Sequence, residues 1–560
     1  MNKKNLVDSK RKLFSIFMVL LCVIFIVSVL SSCKDSPSPP EQKLSSKWVL
    51  NDSASSNLTQ FDPIQIVDVT TINTLMSCYE GLVGFTSDGK IVPGIAERWE
   101  ISQDKLHWRF FLKKDVKFHP FTIKGKSIKS KKLKAQDVVY SLKRATTHPK
   151  SFNTWWLGDI VARNEKNGPK IIAIDESTVQ IELKTPYNLL NRLTSVAGWI
   201  YPENIDQELG DNKFATQVVG TGPYRLMKFI PDDKIVLQRW KNYHGSTSPN
   251  PPDQVVIQIK SDPLASIESF KANQIDVIEL TLDTLAAGNE LVNTKKALKQ
   301  IVSAHHLDYL CFNLSSPPFD SLNLRKAMNI AIDRTKIKNV LKDMATPAFG
   351  FTPPVSLAYQ GIEQLHESGF GYDPEAAKKN YNYFLDVCKQ KGISKPESLK
   401  LYYDDDSLSE LVMQIVKSHI EDTLPLKIEL NKITWPELLE GAFTGKLPFH
   451  RLWWLIATPA EDVYFQFYMP GKNPPIGLNM SRYDDKTYAQ NYLNTFSTES
   501  QNQQIISNII ALENHLIKNA VAIPLYHRKF VYIYRPSIDL IIGTTLRKYY
   551  HLAQKNEEVH

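Results

Sequence analysis

Few residues in this chain are spaced for covalent chemistry. His305 and His306 adjoin, Asp404, Asp405 and Asp406 form an acidic run, and Gly125-Lys126-Ser127 ends like a phosphate-loop signature. That signature also needs a glycine five positions earlier, where Pro120 stands. The histidine pair reads as a strand edge and the three aspartates as a loop. No G-x-S-x-G, H-E-x-x-H or G-x-G-x-x-G occurs, and no two cysteines form C-x-x-C. The expectation is a chain that is not an enzyme and uses no cofactor and no metal.

Contact chemistry is better represented. The stretch "KLPFHRLWWLIATPAEDVY", residues 446–464, sets two adjacent tryptophans beside Arg451 and carries no acid before Glu461. In a strand successive side chains point to opposite faces, so Trp453 and Trp454 cannot share one core. One of them must look elsewhere. Broad aromatic faces near a guanidinium suit the holding of a guest rather than its conversion.

The elements that must position these residues alternate in type. "VVIQIK" (255–260) and "TVQIEL" (178–183) read as strands. "LRKAMNIAIDRTKI" puts Leu324, Ala327, Met328, Ala331 and Ile332 on one helical face. "LASIESFKANQIDVIEL" reads as helix, turn at Asn273, then strand, and "PDD" (231–233) as a hairpin turn. Such alternation over several hundred residues indicates α/β layers. At 560 residues the chain exceeds one core, so two to four domains are expected. The net charge of +8 is no footprint of nucleic acid, because half of it comes from residues 1–32. The lysine-rich run 113–134 reads as a solvated surface insertion.

Residues 13–30 are apolar except Ser15 and Ser28, follow a basic start, and lead into "LSSC" ending at Cys33. This resembles a bacterial lipoprotein signal, which implies cleavage after residue 32, lipid on Cys33 and a location outside the inner membrane. Lys34 implies the outer membrane in a double-membraned cell. Residues 33–46 are polar and rich in Pro and Ser, as a flexible tether is.

Five segments in order carry a wider resemblance. They are "IAERWEISQDKLHWRFFLKKDVKFHP" (95–120), "VVGTGPYRLMKFIPDDKIVLQRWKNYHG" (218–245), "YLCFNLSSPPFDSLNLRKAMNIAIDRTKI" (309–337), "GYDPEAAKKNY" (371–381) and "VAIPLYHRKFVYIY" (521–534). Together they resemble the peptide-type extracytoplasmic solute-binding proteins of ABC importers, similar to oligopeptide- and dipeptide-binding lipoproteins. His119-Pro120 and the lysine run replace a short loop usual in that family.

The resemblance implies an α/β, periplasmic-binding-protein-like fold, with two lobes built from three domains, a hinge and an interlobe cleft. It places domain I at 47–76, 212–310 and 523–560, domain II at 77–211 and domain III at 311–522, with crossings near Leu310 and Ala522. Arg451 and Trp454 match a cleft-lining strand of oligopeptide binders, leaving Trp453 for the interior of domain III. The aspartate that meets the ligand ammonium in those relatives falls on Ala457 here. Either Asp68, or Glu461 or Asp462 after a loop shift, is the expected substitute, or the ligand is a modified peptide without a free amine there. Trp435, Tyr526, Asn153 and Trp155 or Trp156 complete the implied wall. The implied ligand is an oligopeptide, with a dipeptide, muropeptide, nickel chelate or sugar as alternatives. The implied partners are the importer's permease and ATPase and a membrane reached through lipid, with the protein a monomer. A surface interaction or chaperone protein on this scaffold is the reading from a different class.

Overall fold

The computed structural model divides into two compact units, Met1–Trp48 and Val49–His560. It describes residues from 48 onward except 87–88, 124–125, 167, 204, 210–216, 362–363, 365–370, 457–460, 498–502, 540–548, 550–552 and 555–560. Cys33 and Ala457 lie outside the described residues.

The second unit is built on three larger sheets. In the first, Val49–Ala54 runs parallel to Gln254–Ile259, which pairs antiparallel with Lys234–Arg239 and so with Tyr224–Ile230. The expected turn joins the last two strands, with Asp232 at φ 59°, a conformation a short polar side chain tolerates. Gly220 and Gly222 lead into this sheet, and their backbone lies against residues 77–79. A Cβ on Gly220 would sit 2.0 Å from the Cys78 carbonyl oxygen, and one on Gly222 would sit 2.6 Å from that of Ser77. Close approach of two backbones is therefore what demands glycine here.

The second sheet runs Ile171–Ala173, Thr178–Glu182, His107–Leu112, Ala96–Ile101, antiparallel throughout. Trp108, Phe110 and Leu112 alternate inward, and helix Ala135–Thr147 packs beside the sheet.

The third sheet is central. His306–Phe312 is buried along its whole length, between Ala522–Tyr534 and Phe449–Leu455. Ser398–Asp404 and Lys427–Ile433 extend one side, and Val277–Leu280, Leu298–Ser303 and Ala345–Pro347 pair with Ala522–Tyr534 on the other. Leu310 lies opposite Ile523, so the segments expected to cross between lobes are neighbours in one sheet. The histidine pair is accordingly buried and central, not a strand edge.

The five apolar residues expected on one helix face are all buried, but the helix holds only Leu324, Ala327 and Met328, with Ala331 at its C-cap and Ile332 just beyond. The first helix, Leu322–Ile330, ends before Asp333, whose carboxylate accepts the Thr335 amide at 3.0 Å and starts Arg334–Leu341. An aspartate that can cap restarts the helix at this point. Asn273 takes φ 60° between helix Pro263–Lys271 and strand Val277–Leu280, as expected.

Candidate functional site

Strand Phe449–Leu455 organises the site. Phe449, Arg451, Trp453 and Leu455 share one face, and His450, Leu452 and Trp454 share the other, because the side-chain period is two.

On the first face Arg451 is buried. Its Nε donates to Asp308 at 3.1 Å, its Nη2 donates to the same carboxylate, and its Nη1 donates to Asp404 and Ser409. Burial opposes the guanidinium charge, but Asp308 and Asp404 outweigh it and hold Arg451 protonated above its ordinary range. One cation thus answers two carboxylates. Two residues along, Trp453 stacks on Trp435 (5.4 Å, 23°) and on His306 (6.1 Å, 22°). His306 in turn stacks on Tyr526 (5.9 Å, 30°). The four rings form a continuous stack at separations favourable for offset packing, and it walls the adjacent space. Burial, helped by Arg528, His527 and Arg451, keeps His306 well below its usual pKa and so neutral near pH 7.

This wall borders a cavity of about 580 Å³ lined by Asp283, His306, Asp404, Asp406, Arg451, Trp453, Tyr526 and Arg528, among others. A second cavity of about 260 Å³ shares Pro263, Thr281, His306, Trp453 and Arg528 with it. The second cavity reaches Asp52–Ser55 at an edge strand of the first sheet, and Val69, Thr70 and Asn73 of helix Val69–Leu75. Leu455 connects it to a third cavity of about 160 Å³, walled by Trp155, Trp156, Trp199, Trp454 and Phe467, with Asn153. Trp454 stacks on Phe467 at 4.5 Å, and its Nε1 donates to the Tyr309 hydroxyl at 2.8 Å.

The expected site residues therefore fall into two groups. Arg451 and Tyr526 line the largest cavity, and Trp435 backs it through Trp453. Trp454, Asn153 and Trp155 line the smallest. Trp453 is not interior to its own sheet; it lines two cavities, because it has the parity of Arg451 and Trp454 has not. Asp68 does not offer its charge to a cavity. It caps helix Val69–Leu75 through the Thr71 amide (2.8 Å) and accepts from the Thr59 hydroxyl. Glu461 is half-buried and held by Ser356 and the Leu357 amide, and Asp462 is taken by Arg192 and Tyr187, so neither serves as the expected substitute acid. Trp453, His306, Asp404 and Arg528 were not among the expected site residues. Strand parity was the signal for the first. Asp404 was visible only as one member of an acidic run.

Beside the smallest cavity a buried polar cluster joins distant segments. The Arg192 guanidinium, fully buried, pairs with Asp462 and donates to the Tyr187 hydroxyl (2.8 Å) and Gln466 (2.9 Å). The Tyr187 and Tyr492 hydroxyls lie 2.9 Å apart, and Lys472 meets Asp159 at 2.6 Å. These contacts tie residues 159–192 to residues 462–492.

Comparison with known proteins bears on this arrangement. Residues 90–474 match the family described as bacterial extracellular solute-binding proteins, family 5 Middle. The periplasmic oligopeptide-binding protein OppA of Escherichia coli is 25% identical over 516 residues, covering 87% of this chain and 89% of OppA. The dipeptide-binding protein DppE of Bacillus subtilis is 22% identical over 520 residues, covering 90% and 91%. The periplasmic binding protein DppA of Helicobacter pylori, solved with the peptide STSA, superposes with TM-score 0.74 at 19% identity, covering 91% of this chain and 99% of DppA.

Proposed function

The chain belongs to family 5 of the bacterial extracellular solute-binding proteins, and from that premise we propose that it captures oligopeptides and delivers them to the permease of an ABC importer. Relatives named for oligopeptides, dipeptides and, in Escherichia coli, murein peptide support the ligand class. The observation that carries the reading is the run of three linked cavities, the first two bordered by His306 and Trp453 of the ring stack and the second also by an edge strand. An edge strand offers main-chain donors and acceptors to an extended guest whatever its side chains. The rings offer flat apolar contact, and the charged groups of the largest cavity orient the ends.

In this reading domain I comprises 47–76, 212–310 and 523–560, domain II 77–211 and domain III 311–522. The hinge lies where His306–Phe312 and Ala522–Tyr534 run side by side. Closing the lobes buries the peptide and makes the shape that the permease recognises. Hydrolysis belongs to the importer's ATPase, and this chain carries no chemistry of its own. It works as a monomer held to the membrane by lipid on Cys33, with residues 33–46 as the tether. Among the described residues no helix is long and apolar enough to cross a membrane.

Thermal denaturation with tri- to pentapeptides tests the proposal. A true ligand at a hundredfold excess over Kd stabilises by about 3 kcal/mol and raises Tm accordingly. No shift with any peptide, together with recovery of a stable protein partner, would replace it with an interaction protein on the same scaffold.

A further inference from the structure

We infer that the tryptophan-walled cavity is a pocket for one aromatic side chain of the bound peptide, with Asn153 Nδ2 donating to an oxygen of the same ligand; this rests on the peptide-binding reading above. Among the described residues no ionisable side chain lines this cavity. The polar edges of two of its walls are turned away and satisfied elsewhere. Trp156 Nε1 donates to the Arg192 carbonyl at 3.1 Å and Trp454 Nε1 to the Tyr309 hydroxyl at 2.8 Å, which leaves carbon faces toward the space. Trp155 stands edge-on to Trp156 (5.4 Å, 86°), so the walls include both ring faces and ring edges, the two surfaces an inserted ring packs against. An apolar cavity of roughly 150 Å³ stays dry and accepts benzene. This one measures about 160 Å³, the size of a single ring.

The one lining group left wanting is polar. Asn153 is 7% exposed, and its Nδ2 has no hydrogen-bond partner. A buried amide hydrogen without an acceptor is costly, and a ligand carbonyl or hydroxyl entering beside the ring removes that cost. Leu455 joins this cavity to its larger neighbour, so a peptide lying along the cleft can drop one side chain into it.

The test is calorimetric titration of the full chain with tetraalanine and with four tetrapeptides, each carrying one phenylalanine in place of an alanine. Burial of the ring should tighten binding at one position by about tenfold to a hundredfold. If the peptides bind but all four lie within about twofold of tetraalanine, the pocket assignment is overturned while peptide binding stands. If none of the five binds, the peptide-binding reading fails and takes the pocket with it. Ser195→Trp, which fills the space, should abolish the phenylalanine preference. Asn153→Leu should raise the Tm of the free protein, since it removes an unpaired donor, and weaken the preferred peptide by about twofold to tenfold. Unchanged affinity in that variant would overturn the role given to Asn153.

Discussion

Arg451 is the residue on which most of the larger cavity's chemistry turns. Its charge is spent inside the protein, on Asp308 and Asp404. Arg451→Met leaves two buried carboxylates without their cation and should destabilise the fold by about 3–5 kcal/mol, read from urea denaturation midpoints. The cavity beside it carries Asp283, Asp404 and Asp406 against Arg451 and Arg528, with Asp308 directly behind, so its balance is negative. That balance favours a cationic peptide terminus. N-acetylation of a bound peptide should therefore weaken binding by about tenfold or more, measured by titration, and equal affinities would show that the ammonium is not read here. Histidines set the acid limit. Burial holds His119, His305, His450 and His527 at about 4, against an ordinary 6.5. The unfolded chain takes up these protons first, so stability is full above about pH 6.5 and falls as the pH drops toward 4. Each histidine contributes a slope of about 1.4 kcal/mol per pH unit within that window. Replacing His450 with glutamine should flatten the dependence of the urea midpoint between pH 6.5 and 4.5.

At the scale of elements, caps and close approaches do the positioning. Asp333→Ala removes the cap that restarts a helix and should cost about 0.5–2 kcal/mol in chemical denaturation. Most elements were legible in the sequence because they follow local rules. The hairpin at 231–233, the turn at Asn273 and the strand read at 178–183, which is Thr178–Glu182 in the fold, each obey one. What was not legible depended on partners far along the chain. The need for glycine at 220 comes from the carbonyl of Cys78, which no local pattern announces. The choice between Trp453 and Trp454 is a different case. A three-residue spacing shared with relatives suggested Arg451 and Trp454, whereas strand parity places Trp453 beside Arg451 in the larger cavity and sends Trp454 to the tryptophan box. Asp68 shows the same limit: an acid near a cavity reads as available until its helix is seen to use it as a cap.

For the molecule as a whole, the cluster of Arg192, Asp462, Tyr187 and Tyr492 joins segments that the proposed boundaries divide between domains II and III. Asp462→Asn removes the charge that compensates a fully buried guanidinium, so the contact between these two segments should weaken. The expected result is a larger radius of gyration by small-angle scattering for the free protein and a lower peptide affinity. An unchanged radius and affinity would mean that the cluster is only structural. The long strand Ala522–Tyr534 has a consequence of a different kind. It is the shared seam of the central sheet, pairing with Val277–Leu280, Leu298–Ser303, His306–Phe312 and Ala345–Pro347, all made far earlier in synthesis. Until the ribosome has produced that strand, four earlier ones lack their common neighbour, and the central sheet cannot close. Completion of the central sheet therefore waits until nearly the whole chain has been made, which leaves its non-local pairings to form late.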